Sequence, residues 1–279
     1  KRYWACCMQI VHVIDRICQK HGITYYADGG TLLGAVRHQG FIPWDDDMDI
    51  CLKRPDYEKL MKILPEELPE GYQVLHVFNN HNHPQMWAGV RNGSTINLSP
   101  EHLKRSYGCP FVAIIDIFPL DYLPRDAGEA SLVAALFDLI WKAAQLIKDQ
   151  ADMTEINEAV CQVETCLNVK IDRSDNMRTR LWRLATQLVM SYTEEEGDYL
   201  VNWCWYLNKG MKFDKHWYDR WQRVPFAETS IVIPGEADKI LTEMYGDWRQ
   251  PVMLIGDHDY PAFKRQAEDL ENYLGEISE

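Results

Sequence analysis

Basic residues are scarce in this chain: 29 Lys and Arg stand against 42 Asp and Glu in 279 residues, a formal charge of −13. That balance argues against a sequence-independent grip on phosphate backbones, so no nucleic-acid partner is expected. Long apolar runs are missing too. Charge interrupts the apolar stretches, and none is read as approaching the roughly 18 residues of a membrane-spanning helix. No cleavable signal is expected in the residues that follow Lys1. There is no internal repeat and no low-complexity segment. Cysteine occurs at 6, 7, 18, 51, 109, 161, 166 and 204, without a C-x-x-C pair or a clustered His to complete a metal-ligand spacing. These read as reduced, mostly buried thiols of a cytosolic protein, with a zinc site on Cys6, Cys7 and Cys18 as the minor alternative. What the chain does have is core-forming material: 46% hydrophobic residues, 10 Trp and 14 Tyr. Its length suits one generous domain or two small ones.

The periodicity changes along the chain. Met8, Val11, Ile14 and Cys18 recur at helical spacing over 5–20, and His21-Gly22 stops the run. Ile23–Ala27 favours a strand, Gly29-Gly30 breaks it, and Thr31–His38 reads as helical turns capped by Thr31. Met48–Lys53 reads as a strand, and Pro55 opens a helix carrying Tyr57, Leu60, Met61 and Leu64. Further strands are expected at 72–78, 86–91 and 111–118, so residues 1–125 form a mixed α/β or α+β core. From Glu129 to Asn208 helical spacing dominates, which sets residues 126–222 apart as a mainly helical subdomain. Val224–Ile233 is extended again, Gly235–Tyr245 helical, and a helix is expected around 261–274, so segment 223–279 returns to the core.

The densest chemistry is Asp28-Gly29-Gly30-Thr31 followed by Trp44-Asp45-Asp46-Asp47-Met48-Asp49-Ile50. In a strand, residues i and i+2 share a face, so Asp47 and Asp49 become neighbours, on the order of 7 Å apart, while Met48, Ile50 and Leu52 face a core. Two carboxylates so placed can hold a hard cation. Asp45 and Asp46 by themselves read as a solvated acidic loop. Paired glycines let backbone N–H groups approach a phosphate, with a helix N-terminus behind them. Asp116, alone in the apolar run Val112–Leu120, is costly to bury unless it is hydrogen-bonded, paired or bound to metal. It is the candidate third carboxylate, as base or ligand.

The stretch from Tyr26 through Gly29-Gly30-Thr31, Arg37-His38 and Trp44-Asp45-Asp46-Asp47-Met48-Asp49 resembles the signature of the LicD family, which includes bacterial phosphocholine transferases and, more distantly, the fukutin-related ribitol-phosphate transferases. The likeness continues through Asp116–Asp121 and returns at Pro225-Phe226, Ile233-Pro234 and Tyr245-Gly246-Asp247-Trp248. It implies an α+β fold of nucleotidyltransferase type, a mixed sheet flanked by helices with a largely helical insertion. It also implies transfer of a phospho-alcohol from a CDP-linked donor, CDP-choline above all, to a sugar hydroxyl, with release of CMP. Carried onto this sequence, Asp47, Asp49 and Asp116 are the catalytic and metal-binding residues for Mg²⁺, or Mn²⁺ in its place. Gly29, Gly30 and Thr31 cradle the diphosphate, with Arg37 offsetting its charge and His38 beside it. The acceptor is a glycan or lipid-linked saccharide of the lipopolysaccharide or teichoic-acid kind, met in the cytoplasm or at the inner face of the membrane. The absence of a clustered-cysteine zinc loop favours the bacterial branch.

A choline headgroup wants aromatic faces. Trp87, Trp203, Trp205, Tyr206, Trp217 and Trp221 are the candidates for such a box, against the plainer reading that helical aromatics fill a core. Arg173, Arg178, Arg180 and Arg183 form a basic stretch that either meets an anionic acceptor or, by default, lies on a solvated face balanced by acids. Two other functions compete. Asp45–Asp47 and Asp47–Asp49 each fit the Asp-x-Asp motif of a metal-dependent glycosyltransferase using a nucleotide-sugar, and the fold could serve a non-catalytic glycan-binding protein. The glycine turn ahead of the carboxylates speaks against the first, and the intact Asp47, Asp49 and Asp116 against the second.

Overall fold

The computed structural model describes residues 1–173, 176–253 and 261–278. The chain is α+β and divides into two compact units: 1–74, 89–118 and 216–279 in the first, 75–88 and 119–215 in the second. Within the C-terminal segment 223–279, positions 254–260 lie outside the described residues.

The first unit opens with α1 (Arg2–His21), which buries Cys6, Ile10, Val11, Ile14, Ile17 and Cys18 on one stripe and ends at left-handed Gly22. β1 (Tyr26–Ala27) leads through Asp28 into α2 (Gly29–His38). β2 (Asp49–Lys53) returns antiparallel to β1, with Tyr26 opposite Cys51 and Ala27 opposite Ile50. α3 (Arg54–Glu67) carries Pro55 in its first turn, where a missing N–H costs nothing, and buries Tyr57, Leu60, Met61 and Leu64. β3 (Gln73–Leu75), β4 (Ala88–Arg91), α4 (Pro100–Arg105) and β5 (Ile114–Pro124) complete the first pass. The sheet order β1-β2-β5-β4-β3 puts β5 at the centre, where Ile115 and Ile117 are fully buried. Asp116 thereby sits beside β2, its N–H donating to the Met48 carbonyl at 3.1 Å.

Past Phe118, β5 belongs to the second unit. α5 (Ala127–Lys148), α6 (Met153–Leu167) and α7 (Met177–Val189) pack around Phe137, Ile140, Val160, Leu181 and Trp182. Asp126 and Asp152 cap α5 and α6, accepting the Glu129 and Thr154 N–H groups at 2.8 Å. The expected helical stretch over 129–208 is broken by β6 (Gly197–Val201), which pairs antiparallel with Asp121–Pro124 of β5; α8 (Trp203–Lys209) and β7 (Phe213–Asp214) follow. Five residues carry too little alternation to announce a strand when its partner lies far back in the chain.

α5 also corrects the expectation that no run approaches a membrane span. It is 22 residues long and apolar enough to cross a bilayer by length and composition. Its internal charges, Asp138 and Lys142, pair at 2.6 Å one turn apart, so they interrupt the apolar run less than a residue-by-residue reading suggests. Val133, Phe137, Ile140, Ala143 and Ala144 are buried on the face that meets α6 and α7.

The chain then returns to the first unit with the hairpin β8 (Trp221–Phe226) and β9 (Thr229–Pro234), followed by α9 (Ala237–Tyr245) and α10 (Lys264–Ser278). Long-range polar contacts fix this return. The Tyr26 hydroxyl donates to the Tyr218 carbonyl at 2.5 Å, Ala227 N–H to the Gln39 carbonyl at 2.7 Å, and Arg223 forks onto buried Asp15 at 2.7 and 3.2 Å.

Candidate active site

The site grows from the β1–α2 turn. Asp28, not Thr31, holds the N-cap position of α2, with extended backbone (φ −129°, ψ 164°). Gly29 follows at φ +51°, a left-handed conformation that L side chains rarely adopt, so glycine is required there. At Gly30 a Cβ would overlap the Asp45 Oδ2 atom, so a larger residue there displaces that carboxylate. The Thr31 hydroxyl is freed from capping and accepts the Asp49 N–H at 2.9 Å, while Asp28 N–H donates to the Asp49 carbonyl at 3.0 Å. Glycine turn and carboxylate strand are thus bolted together by hydrogen bonds at one end of α2. The first N–H groups of that helix have no helical acceptor and can receive an anion.

Carboxylates crowd around this point. Asp49 is pushed well above the usual carboxylate range, by desolvation first and then by Asp47, Asp116, Asp28 and Asp45. Asp45 rises to about 8 through burial, a hydrogen bond shared with Asp47 and the charges of Asp47 and Asp46. Asp28, 1% exposed, rises to about 7 by burial, opposed by hydrogen bonds from Gly29 N–H and the Cys51 thiol; its Oδ2 atom is buried without a hydrogen bond. Tyr245, at the end of α9, is 41% exposed as a residue but brings its hydroxyl to 4.0 Å from the point where a Gly29 Cβ would stand, and the burial of that end together with Asp28, Asp49, Asp45 and Asp47 raises it. The common cause is burial of like charges, which favours either protons or a cation.

The expected residues divide by position. Asp47, Asp49 and Asp116 are brought together with Gly29, Gly30 and Thr31. Arg37 and His38 lie at the opposite end of α2, a helix of ten residues and about 15 Å. There Arg37 donates to the Trp248 carbonyl at 2.7 Å, and His38 meets Trp44 edge-on at 6.5 Å between ring centroids. The solvated-loop reading of Asp45-Asp46 is corrected. Asp45 enters the cluster, and Asp46, 4% exposed, accepts the Ala262 N–H at 2.8 Å. Asp28 and Tyr245 are members that sequence reasoning left without a role, and Asp45 one to which it gave only a place in the Asp-x-Asp alternative. Asp28 had a signal in its place directly before the glycines, whereas Asp45 and Tyr245 depend on tertiary approach.

The donors are hard oxygens, and Asp28 carries an unsatisfied one, which suits Mg²⁺ or Mn²⁺. Among the described residues no group of three or more His, Cys, Asp or Glu side chains is placed to hold a metal ion. Cys6, Cys7 and Cys18 are buried free thiols. Cys6 donates to the Ser106 carbonyl at 3.4 Å and shares a hydrogen bond with Cys109, the behaviour of packed thiols.

The candidates for an aromatic box divide between the two units. Trp203 is 2% exposed in the core of the second unit, with Trp87 and Tyr206 packed against that core, whereas Trp217 and Trp221 belong to the first unit. The basic stretch is engaged locally: Arg173 with Glu164 at 2.8 Å, Arg180 with Asp172 at 3.1 Å, Arg183 with the Val77 carbonyl, and Arg178 over the Trp182 ring.

The glycine turn and the carboxylates lie together in the first unit of this α+β chain. Residues 22–123 match the LicD/FKTN/FKRP nucleotidyltransferase domain. The chain is 40% identical over 68 residues to the lipopolysaccharide cholinephosphotransferase LicD of Haemophilus influenzae, covering 24% of this chain and 26% of that protein. It is 46% identical over 66 residues to an uncharacterized protein of Rickettsia prowazekii, covering 24% and 25%. It is also 29% identical over 109 residues to the ribitol 5-phosphate transferase FKRP of Mus musculus, covering 32% and 22%. The matches span about a quarter of the length of these relatives. Pro225-Phe226, Ile233-Pro234 and Tyr245–Trp248 fall outside the matched domain.

Proposed function

We propose that this protein transfers a phospho-alcohol, phosphocholine in the favoured case, from a CDP-linked donor to a sugar hydroxyl of a glycan or lipid-linked saccharide. The observation that carries the reading is the crowd of Asp28, Asp45, Asp47, Asp49 and Asp116 over the N-terminus of α2, each raising Asp49 or raised beside it. The Gly29–Thr31 backbone receives the diphosphate. Asp47 and Asp49, with Asp116 as a further ligand, would hold Mg²⁺ or Mn²⁺, which when bound supplies neutralisation of the diphosphate charge. The acceptor oxygen attacks the phosphorus that bears the alcohol, the P–O bond to the CMP phosphate breaks, and the hydroxyl proton passes to the Asp116 carboxylate. CMP leaves as the anion. With a CDP-linked donor, the reaction is expected in the cytoplasm or at the inner membrane face.

The choice of phosphocholine over ribitol phosphate follows the identity of 40% to the cholinephosphotransferase against 29% to the ribitol-phosphate transferase. Mass spectrometry of an acceptor saccharide incubated with CDP-choline tests it. The expected product is heavier by one phosphocholine. A product heavier by a hexose, formed only from a nucleotide-sugar, would establish the glycosyltransferase reading instead.

A further inference from the structure

Tyr245 reaches the glycine turn from far along the chain. α9 ends on it, because Gly246 takes φ +66°, which glycine adopts without strain. A Cβ on Gly29 would stand 3.3 Å from Asp49 Oδ2 and 4.0 Å from the Tyr245 hydroxyl, so carboxylate and phenol flank one face of the turn. Gly30, Asp47 and Asp49 are half-buried, and the cluster is reached from solvent on their side. Burial, and then the charges of Asp28, Asp49, Asp45 and Asp47, hold the proton on the phenol. Tyr245 therefore adds a neutral O–H donor to a crowd of acceptors. It does nothing to neutralise those carboxylates, but it can meet an oxygen of the anion proposed to sit on the Gly29–Thr31 backbone.

The residues that follow hold Tyr245 in place. Trp248 is 7% exposed, and its carbonyl accepts from Arg37 Nη1 at 2.7 Å, with the Gln250 carbonyl 3.5 Å from the same nitrogen. Arg249 lies 4.4 Å over the Trp248 ring and pairs with Asp238 of α9, folding the turn back onto its own helix. One short segment thus grips α2 at both ends, by Tyr245 at the glycines and by the Trp248 carbonyl at Arg37. Arg37 is committed to main-chain carbonyls at the far end of α2 from the turn whose charge it was expected to offset.

We infer that the Tyr245 hydroxyl donates a hydrogen bond to the diphosphate received at Gly29–Thr31, and that Arg37 is a positioning residue, fixing Tyr245 there through the Trp248 carbonyl. This assignment rests on the transfer reading above and gives Arg37 an indirect part in place of a direct contact. Calorimetry with CDP and Mg²⁺, without acceptor, tests it on Tyr245→Phe, on Arg37→Gln and on the two combined. A hydrogen bond to a charged oxygen is worth about tenfold or more, so Tyr245→Phe, which keeps the ring, is expected to weaken CDP binding at least about tenfold. Arg37→Gln alone is expected to weaken it by about threefold to tenfold, and by less than about twofold in the Tyr245→Phe background, because residues acting through one contact are not additive. Equal CDP binding by wild type and Tyr245→Phe would overturn the contact, and that variant decides the contact by itself if Arg37→Gln unfolds. An Arg37→Gln loss of the same size in both backgrounds would overturn the positioning and return Arg37 to the diphosphate. CDP binding weakened in Tyr245→Phe, with no CMP formed from any CDP-alcohol, defeats the transfer reading alone. CMP formed while CDP binding is unmoved by Tyr245→Phe defeats the Tyr245 contact alone.

Discussion

Asp28 makes the electrostatics of the site measurable without any substrate. Its carboxyl titrates at about 7 in the folded chain against an ordinary 3.8, mainly because it is buried. A carboxylate raised in this way holds its proton more tightly when folded. Its contribution to stability is therefore complete below pH 3.8 and is lost as pH rises through about 7. Between pH 5.5 and 7 the folded chain keeps a proton that the unfolded chain has released, and about one and a half pH units at about 1.4 kcal/mol per unit give a loss of about 2 kcal/mol. Asp28→Asn keeps one oxygen acceptor for Gly29 N–H and the Cys51 thiol but cannot ionise. Urea unfolding of both proteins in EDTA at pH 5.5 and pH 8.0 reads the effect. The wild type is expected to lose about 2 kcal/mol more than the variant over that interval, whatever pH-independent cost the new amide N–H groups carry. Parallel pH dependences in the two proteins would refute the burial of an ionisable Asp28 beside the glycine turn.

Gly30→Ala places a methyl where Asp45 Oδ2 stands and so moves a carboxylate of the cluster. It is expected to lower kcat/KM by about tenfold to a hundredfold while far-ultraviolet circular dichroism stays unchanged, because alanine suits a helix better than glycine. In thermal melts at pH 7.5, Mg²⁺ at about a hundred times its dissociation constant is expected to stabilise the wild type by about 2.7 kcal/mol, on the order of 5 °C. Asp49→Asn removes a proposed ligand and is expected to lose most of that rise; an equal rise in both proteins would detach Asp49 from cation binding.

Local pattern made the frame of the site legible. The helix stripe of α1, the proline opening α3 and the glycine turn all depend on residues close in sequence; the expected alternation around Asp49 is not seen, since β2 begins at Asp49 and Ile50, Cys51 and Leu52 are all buried. What stayed hidden depends on distant approach. Asp45 matters because Gly30 has no side chain to displace it, and Tyr245 arrives from α9. The cap of α2 was misplaced because both Asp28 and Thr31 are cap-forming types, and only the cross-strand bond from Asp49 N–H shows that Thr31 is otherwise engaged. β6 is a strand through its pairing with β5, and Trp203 of α8 fills a core in which α5 brings Phe137 against it. Composition can supply aromatics and carboxylates; only the fold decides which ones meet.

The most direct test of the central claim is CMP release measured with CDP-choline, CDP-ethanolamine, CDP-ribitol and CDP-glycerol, each with an acceptor glycoside and with either Mg²⁺ or EDTA. CMP formed from one donor, CDP-choline in the favoured case, abolished by EDTA and reduced by at least about a hundredfold in Asp49→Asn, is the predicted result. CMP release that persists undiminished in EDTA or in Asp49→Asn would contradict the assignment of the carboxylate cluster as the catalytic centre.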